Sequence, residues 1–315
     1  MLRNDSNILD GCESASIEFA IDALRRDELV AIPTETVYGL AARASSRTAV
    51  KKIFELKGRP PSHPLILHIA KTSDLDKWSL NLPPVAKVLT EKYWPGPLTI
   101  VVQRNTNVSD EITGGRDTVA IRCPDHKITT DLLMRLNDAI VAPSANRFGK
   151  VSPTSAKHVF ADLGRDVEII LDGGECTIGL ESTIIDCTTT PPQLLRAGAI
   201  TVDQIQADCA INVALASGES RASGMLEKHY APNCKVELCK NRALANSRQL
   251  ELTQLGVKAE VLDFDVDIEL FARHLYSRLR DADTRQIEVI IAVTAPMIGI
   301  GLAINERLEK AANSH

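Results

Sequence analysis

Aromatic side chains are scarce in this 315-residue chain, at 4% of all residues. A surface that stacks many nucleic-acid bases depends on such side chains, so their scarcity argues against that class of binder. Cations are not in excess either, because 36 lysines and arginines face 41 aspartates and glutamates, for a net charge of −5. A generally basic nucleic-acid surface is therefore not expected, although a local basic pocket is compatible with this balance.

The seven cysteines are irregularly spaced and form no CxxC pair, which argues against zinc-knuckle and thioredoxin-like motifs. We expect buried, reduced thiols in a cytoplasmic protein. The first residues, MLRNDSNILDG, contain no apolar signal core. The longest apolar run, 289–304, is interrupted by Pro296 and is shorter than the ~20 residues of a membrane span. We expect that run to be a buried strand followed by a loop and a helix.

Several common catalytic motifs are also missing. The sequence has no GxxxxGK[ST] loop, no GxGxxG opening a βαβ unit, no HExxH and no GxSxG. These absences argue against a standard nucleotide-binding loop, a zinc protease and a serine hydrolase. Any nucleotide site in this chain must therefore be built from other residues.

Helical and strand-like apolar patterns alternate along residues 1–212, which predicts an α/β or α+β domain. Some connections are too short for a crossover helix, so we expect a mixed sheet. The predicted helices span 16–27, 46–56, 82–93 and 154–163. The predicted strands span 29–33, 65–69, 98–103, 118–122, 139–143, 167–171, 182–186 and 193–195.

The pattern lapses over residues 213–233 and then restarts. Long stretches without regular pattern are usually linkers or functional loops. Residues 234–315 contain three β-α units, which predict a small parallel sheet covered by helices. Its predicted strands span 235–239, 259–262 and 288–293, and its predicted helices span 243–255, 268–279 and 301–311.

Two segments place polar groups near predicted strands. Residues 33–40, PTETVYGL, follow a buried strand, where α/β folds place ligand groups, although a hydrogen-bonded turn is an equal alternative. Lys57 and Arg59 flank a glycine, and in extended backbone residues two apart point the same way. Two such cations can neutralise a polyphosphate, and a solvated basic loop is the alternative. His68 lies inside a predicted strand, where a core histidine is the alternative to a ligand contact.

A third candidate is the segment 141–147, VAPSANR, with Ser144 and Asn146 as its polar contacts. It precedes Ser152 and Thr154, which we expect to open a helix whose N-terminus favours anions. Helix capping explains those two hydroxyls equally well. From the residues alone, the chain is interpreted as a phosphate-binding α/β enzyme without the standard nucleotide motifs.

Eight segments of the sequence, taken together, are a more specific signal than any one of them. They occur in the order seen in L-threonylcarbamoyladenylate synthases, the YrdC-like family, and the chain therefore resembles this family. SGMLEKHYAP and GIGLAINERLEKAA also resemble the linker and the end of the longer, two-domain members. The ordered segments are PTETVYGLAA, KGRPPSHPLILHI, YWPGPLTIVV, VAIRCPDH, VAPSANRFGKVSPT, ILDGG, ESTIIDC and LLRAG.

The resemblance implies a twisted, mixed α/β sheet with a basic concave cavity, followed by a small Rossmann-like domain at 234–315. It implies synthesis of threonylcarbamoyl-AMP from L-threonine, bicarbonate and ATP, with release of pyrophosphate. Mg²⁺ would accompany ATP, held by phosphates and waters. The product would serve the threonylcarbamoyladenosine modification of tRNA beside the anticodon, with possible handover to the transferase that acts on tRNA.

The resemblance also implies roles for individual residues. Tyr230, in the 213–233 linker, would act as a lid over the nucleotide. The catalytic set would be Lys57, Arg59, Ser144 and Asn146. ATP would contact Arg59, His63, Thr118, Ser144, Ser152, Arg196 and Tyr230. L-threonine would contact Thr36, His68, Arg122, Ala142 and Ser182, with Arg122 suited to a bidentate carboxylate contact.

The sequence departs from the family pattern in three respects, one of which is a short C-terminal domain. His63 stands where Asn is common, so its charge would depend on pH. Ala222-Ser223-Gly224-Met225 stands where Ser-Pro-Gly-Met is usual. Three alternatives stay open: an RNA-binding regulator with direct RNA binding, a carbamoyl transfer domain of the hydrogenase-maturation kind, and an inactive paralogue.

Overall fold

Two β-sheets, one of eleven strands and one of three, organise the chain. The structure is a computed structural model, and it describes residues 7–215, 230–263 and 267–314. Most of the predicted lid segment, including residues 222–225, lies outside the described residues. Among the helices of the described ranges, none is long and apolar enough to cross a membrane.

The strands and helices follow the predicted alternation. The strands are β1 (Ile8–Asp10), β2 (Val30–Ile32), β3 (Gly39–Arg43), β4 (Ile66–His68), β5 (Leu98–Gln103), β6 (Thr118–Arg122), β7 (Ile140–Val141), β8 (Ile169–Asp172), β9 (Thr183–Asp186), β10 (Gln193–Arg196), β11 (Ala214–Leu215), β12 (Lys235–Cys239), β13 (Ala259–Leu262) and β14 (Val289–Val293). The α-helices are α1 (Ser14–Arg25), α2 (Arg47–Lys57), α3 (Pro84–Tyr93), α4 (Asp110–Thr113), α5 (Lys127–Leu136), α6 (Ala156–Leu163), α7 (Val202–Cys209), α8 (Arg242–Gln254), α9 (Ile268–Thr284) and α10 (Gly301–Ala312).

The large sheet is mixed, as predicted, with the order β1-β8-β2-β3-β7-β4-β6-β5-β9-β10-β11. Strand β4 pairs with β6 in parallel and with β7 antiparallel. Strand β6 also pairs antiparallel with β5, which is parallel to β9. The centre of the sheet thus brings together strands that are distant in sequence, and their ends surround the candidate site.

Strand β3 was not predicted, because its sequence GLAAR is rich in residues with low strand propensity. It is nevertheless buried and pairs with β2 and β7. A Cβ at Gly39 would lie 3.0 Å from the Cβ of Ala142. Glycine therefore permits a close approach between β3 and the segment that follows β7.

Three helices, α4, α5 and α7, were missed, and the signals of α5 and α7 are in the sequence. Helix α5 buries Ile128, Leu132, Leu133 and Leu136, which are spaced as one face of a helix. Helix α7 begins with a capping box, in which Thr201 and Gln204 satisfy each other's backbone N–H groups.

The predicted start of α6 was wrong. The helix begins at Ala156, and the side chain of Ser155 caps it by accepting from the N–H of His158. Ser152 precedes the helix, and its hydroxyl donates to Glu181 Oε1 at 2.6 Å. Capping therefore does not account for Ser152, whose side chain belongs to a buried polar contact.

The second sheet confirms the three predicted β-α units. Its strands are all parallel in the order β12-β14-β13. The central strand β14 is buried throughout, and α10 follows it after a loop, as predicted for the apolar run 289–304. Helix α9 continues to Thr284, beyond the predicted end at 279. The Rossmann-like comparison and the boundaries 1–212 and 213–233 stay predictions.

The two sheets are joined by a shared apolar core. Val37, Val151 and Leu180, from the segment before residue 212, pack in one cluster with Leu275 and Ile304 of the C-terminal unit. The C-terminal unit is thereby fixed beside the strand ends that carry the candidate site.

Candidate active site

A pocket opens at the ends of the central strands, beside the C-terminal unit. It draws residues from segments far apart in the chain, which only the sheet order brings together. Its walls are formed by Thr36, Val37, Arg59, Ile66, His68, Arg122, Ala142, Pro143, Ser144, Glu181, Ser182, Arg196 and Tyr230. A larger cavity, of about 380 Å³, lies between Lys71, Trp78 and Met134 and contains none of the predicted site residues.

The pocket brings together most, but not all, of the predicted site residues. Those on its walls are Thr36, Arg59, His68, Arg122, Ala142, Ser144, Ser182, Arg196 and Tyr230. Those behind the walls or away from them are Lys57, His63, Thr118, Asn146 and Ser152. Their contacts determine what each could do, so they are described in turn.

We predicted that Lys57 and Arg59 lie in extended backbone, and this prediction was wrong. Lys57 is the last residue of α2, and Gly58 ends the helix in the left-handed conformation with φ of 67°. Glycine adopts this conformation without a steric penalty from Cβ. The two cations therefore leave the helix end in different directions, and only Arg59 reaches the pocket wall.

Lys57 holds the segment 144–146 from behind the pocket. Its Nζ donates to the carbonyl oxygens of Ser144 and Asn146, both at 2.6 Å, and to Asn146 Oδ1 at 3.3 Å. An ammonium group has three protons, so these contacts account for all of them. Burial, and then Arg59, lower the pKa of Lys57 well below its usual value.

Asn146 completes this support. It is buried, and its Nδ2 donates to the carbonyl oxygens of Arg147 and Lys150. Its amide nitrogen is therefore bonded within the loop, and its amide oxygen accepts from Lys57 of α2. Ser144, which bridges to Gly39 of β3, is the member of this segment that faces the pocket.

Two arginines supply positive charge to one side of the pocket. Arg59 donates from Nη2 to the Pro64 carbonyl at 2.9 Å, and its pKa is lowered to about 10 by burial and by Arg196. Arg196 donates from Nε to the Ser182 carbonyl and from Nη2 to Ser182 Oγ. Ser182 Oγ also lies 2.7 Å from Thr99 Oγ1, so hydrogen bonds connect Arg196, Ser182 and Thr99. Two buried neighbouring guanidinium groups are suited to bind phosphates.

Arg122, also on the pocket wall, is fixed from three directions. Its Nε donates to the Gly96 carbonyl at 3.2 Å, and its Nη1 donates to Thr36 Oγ1 at 2.8 Å. Its Nη2 lies 2.6 Å from Glu35 Oε1 in an ion pair whose side chains are 5% and 7% exposed. Sequence reasoning missed Glu35, although a carboxylate beside a predicted ligand residue was the available signal.

His68 is neutral in this setting. Its Nδ1 lies 3.1 Å from the Ile66 carbonyl, which can only accept, so the proton is assigned to Nδ1 and Nε2 carries a lone pair. Burial, and then Arg122, lower its pKa to about 3. His68 can therefore accept a hydrogen bond from a ligand at neutral pH.

The remaining predicted residues lie off the pocket wall. Thr118 begins β6 and pairs with Gln103. The His63 ring lies 5.8 Å from the Phe148 ring, and its pKa is lowered by burial, then by Arg59 and Arg116. Ser152 is fully buried. Their predicted contacts with ATP stay predictions.

Comparison with known proteins shows the family of this chain. Residues 22–198 match the family model Sua5–YciO–YrdC, described as "Telomere recombination", and residues 200–313 match the model of the threonylcarbamoyl-AMP synthase C-terminal domain. The chain belongs to the threonylcarbamoyl-AMP synthase family.

Relatives in this family match almost the whole chain. A threonylcarbamoyl-AMP synthase of Pyrococcus abyssi is 40% identical, over 97% of this chain and 96% of its own. One of Bacillus subtilis is 41% identical, over 92% and 90%. The crystal structure of Pyrococcus abyssi Sua5 complexed with L-threonine superposes with a TM-score of 0.90 at 39% identity, covering 96% of this chain and 95% of that one.

Proposed function

We propose that the chain is an L-threonylcarbamoyladenylate synthase, a nucleotidyltransferase that uses L-threonine, bicarbonate and ATP. The observation that carries this proposal is the pairing of two arginines, Arg59 and Arg196, with a separate buried arginine, Arg122, around one pocket. A polyphosphate and an amino-acid carboxylate are the two anions that such a division fits. Relatives 40% and 41% identical over most of the chain bear the synthase name, which supports the same assignment.

The proposed reaction has two steps. The threonine amine nitrogen forms a bond to the carbon of bicarbonate with loss of water, which yields an N-carboxylate. A carboxylate oxygen then attacks the α-phosphorus of ATP, the bond to the β-phosphate oxygen breaks, and pyrophosphate leaves. Such a transfer depends on alignment and charge neutralisation more than on a protein nucleophile.

We place L-threonine at the Arg122 side. The guanidinium would bind the amino-acid carboxylate, and Glu35, Thr36 and Gly96 hold that guanidinium in place. The unprotonated Nε2 of His68 would accept a hydrogen bond from the substrate. Ala142 and Ser182, also on the wall, would complete the subsite.

ATP would occupy the Arg59 and Arg196 side. These two cations would neutralise the phosphates, and Tyr230 would cover the nucleotide from the C-terminal side of the pocket. Ser144 would face the reacting groups, and Lys57 and Asn146 would act through it by fixing the 144–146 backbone. Lys57 is thus proposed as a positioning residue, which refines the role expected from the family resemblance.

Mg²⁺ would accompany ATP. In the described ranges, His, Cys, Asp and Glu side chains form no group of three or more that could hold a metal ion. The one carboxylate on the pocket wall, Glu181, already accepts from Ser152 and Tyr276. This donor set fits a cation held mainly by phosphates and water, which would neutralise charge on the leaving pyrophosphate.

We propose that the reaction takes place in the cytoplasm. All seven cysteines are free, as in proteins of a reducing compartment. The product would be consumed by a transferase that modifies adenosine in tRNA.

Pyrophosphate release tests the proposal directly. The purified chain is incubated with ATP and Mg²⁺, and threonine and bicarbonate are each supplied or omitted. We expect release only when both are present, with label from bicarbonate in an AMP-linked product. Release without threonine would overturn the amino-acid subsite.

The same assay separates the open alternatives. Absence of release from protein that still binds ATP would favour the inactive paralogue or the RNA-binding regulator. RNA filter binding over a salt titration would distinguish those two. Release that depends on carbamoyl phosphate in place of threonine and bicarbonate would favour a carbamoyl transfer domain.

A further inference from the structure

A buried carboxylate connects the pocket to the C-terminal unit. Glu181, on the pocket wall, receives the Ser152 hydroxyl on Oε1 at 2.6 Å. Its Oε2 receives the Tyr276 hydroxyl at 2.7 Å and lies 3.3 Å from both Nε and Nη2 of Arg307. Tyr276 and Arg307 belong to α9 and α10, so two C-terminal helices hold one wall residue.

The same two side chains hold a second wall residue. The ring of Tyr230 stacks on the ring of Tyr276, with centroids 5.5 Å apart and planes inclined by 22°. The guanidinium carbon of Arg307 lies 5.6 Å from the centre of the Tyr230 ring. Tyr230 thus contacts both Tyr276 and Arg307, with 1% of its surface exposed.

Arg307 is an unusual residue for a purely structural position. Its side chain is 0% exposed, and a buried guanidinium must offset a large desolvation cost. It does so through Glu181 and through Glu306, whose Oε2 lies 3.0 Å from Nη1. Well-packed apolar side chains often give equal or greater stability than such a buried pair. The contacts of Arg307 are therefore better explained by the orientation that they give to Glu181 and Tyr230.

Two buried arginines, Arg307 and Arg196, act on the charge of Glu181. Burial alone would raise its pKa, but Arg307, Arg196 and the two hydroxyl donors outweigh burial and lower it to about 2. The carboxylate is therefore ionised at neutral pH. Arg196, on the proposed phosphate side, lies on the same pocket wall as Glu181 and contributes to the lowering of its pKa.

We propose that Tyr276 and Arg307 are positioning residues for nucleotide binding. They fix the Glu181 carboxylate on the pocket wall that it shares with Arg196, and they contact the ring of Tyr230 on the same wall. The identity of the nucleotide rests on the proposed function, but the positioning of the pocket wall does not. The C-terminal unit thereby contributes to the site through α9 and α10 as well as through the linker.

The test uses Tyr276→Phe, which keeps the ring stack and removes one hydroxyl, and Arg307→Lys, which keeps the charge. Asn305→Ala is the matched control, because Asn305 is buried on the same helix α10 and bonds the Ala295 backbone instead of Glu181. Binding of an ATP analogue with a methylene between the α- and β-phosphates is measured by calorimetry, as is binding of L-threonine. Thermal melting reports stability for all variants.

We expect Tyr276→Phe and Arg307→Lys to weaken analogue binding about tenfold, the size of one hydrogen bond to a charged group. Threonine binding should change less than about threefold. Arg122 is held by Glu35, Thr36 and Gly96, and His68 is held by Ile66, so these contacts remain in both variants. Adding Glu181→Gln to Arg307→Lys should recover part of the loss, because the neutral amide competes weakly for Arg196.

Three results would overturn the inference. They are unchanged analogue affinity in both variants, an equal loss for both ligands, and the same loss in Asn305→Ala at matched melting temperature. If the wild-type chain binds the analogue but releases no pyrophosphate with threonine and bicarbonate, the proposed function fails. The positioning inference is then still decided by the binding data.

Discussion

Lys57→Met separates a support role from direct phosphate binding. The change keeps much of the side-chain length and removes the ammonium group. It removes a donor from the Ser144 carbonyl, which keeps the Asn146 N–H at 3.0 Å, and from the Asn146 carbonyl and Asn146 Oδ1. Lys57 is 4% exposed, so water cannot readily replace Nζ.

The expected loss of stability follows from those acceptors. An unsatisfied buried acceptor costs about 1–3 kcal/mol. Removal of the buried ammonium recovers part of its desolvation cost. We therefore expect a net loss of about 3 kcal/mol, which corresponds to about 5 °C in Tm for a chain of this length. Because the 144–146 backbone would loosen beside the reacting groups, turnover should fall by about a hundredfold.

Thermal melting and pyrophosphate release measure the two effects on the same samples. Lys51→Met is the matched control, because Lys51 lies on the same helix α2 and is exposed. Its Nζ makes a long ion pair, 3.8 Å from Glu111 Oε1. Its Tm and turnover should stay near those of the wild type. The reasoning is refuted if Lys57→Met melts like the wild type and only its ATP affinity falls. That result would place Nζ on a phosphate.

Three further results are expected. Arg59→Ala should raise the KM for ATP at least about tenfold with little change in the KM for threonine, and an unchanged ATP requirement in steady-state kinetics would remove its role. Arg122→Lys should raise the KM for threonine about tenfold, because an ammonium cannot replace the planar guanidinium; equal changes in both KM values would reassign it. Burial, and then Arg122 or Arg280, depress the pKa of His68 to about 3 and of His158 to about 4. Below about pH 6.5 the unfolded chain binds more protons than the folded chain. As the pH decreases from there, the free energy of unfolding should decrease by about 1.4 kcal/mol per pH unit for each histidine. In urea titrations at pH 7 and 5, His158→Gln should reduce that fall, and an unreduced fall would contradict its buried neutral state.

Local patterns in the sequence were enough to predict most elements. Apolar periodicity predicted strands such as β5 and β6 and all three β-α units of the C-terminal unit, because each buries one face or one short run. Short connections predicted the mixed sheet. Strand β3 was missed. Its glycine and alanines fit close packing against the segment after β7, and local strand propensity does not include such long-range packing.

The candidate residues were found as separate segments, but their arrangement depends on the sheet. Arg122, His68 and Ser144 come from different segments and meet only because β4 pairs with both β6 and β7. The left-handed Gly58 turned Lys57 away from Arg59, against the prediction from alternation. Glu35 was missed because its significance lies in its partner Arg122, 87 residues away in the sequence.

The sequence by itself therefore determined the family, the α/β architecture and most of the residue types at the site. These depend on order along the chain and on local periodicity, which a linear pattern contains. Only the tertiary structure decided which cations face the pocket and which support it, and that Tyr276 and Arg307 reach Glu181. The physical reason is that burial, hydrogen-bond partners and electrostatic neighbours are set by contacts between residues far apart in the sequence.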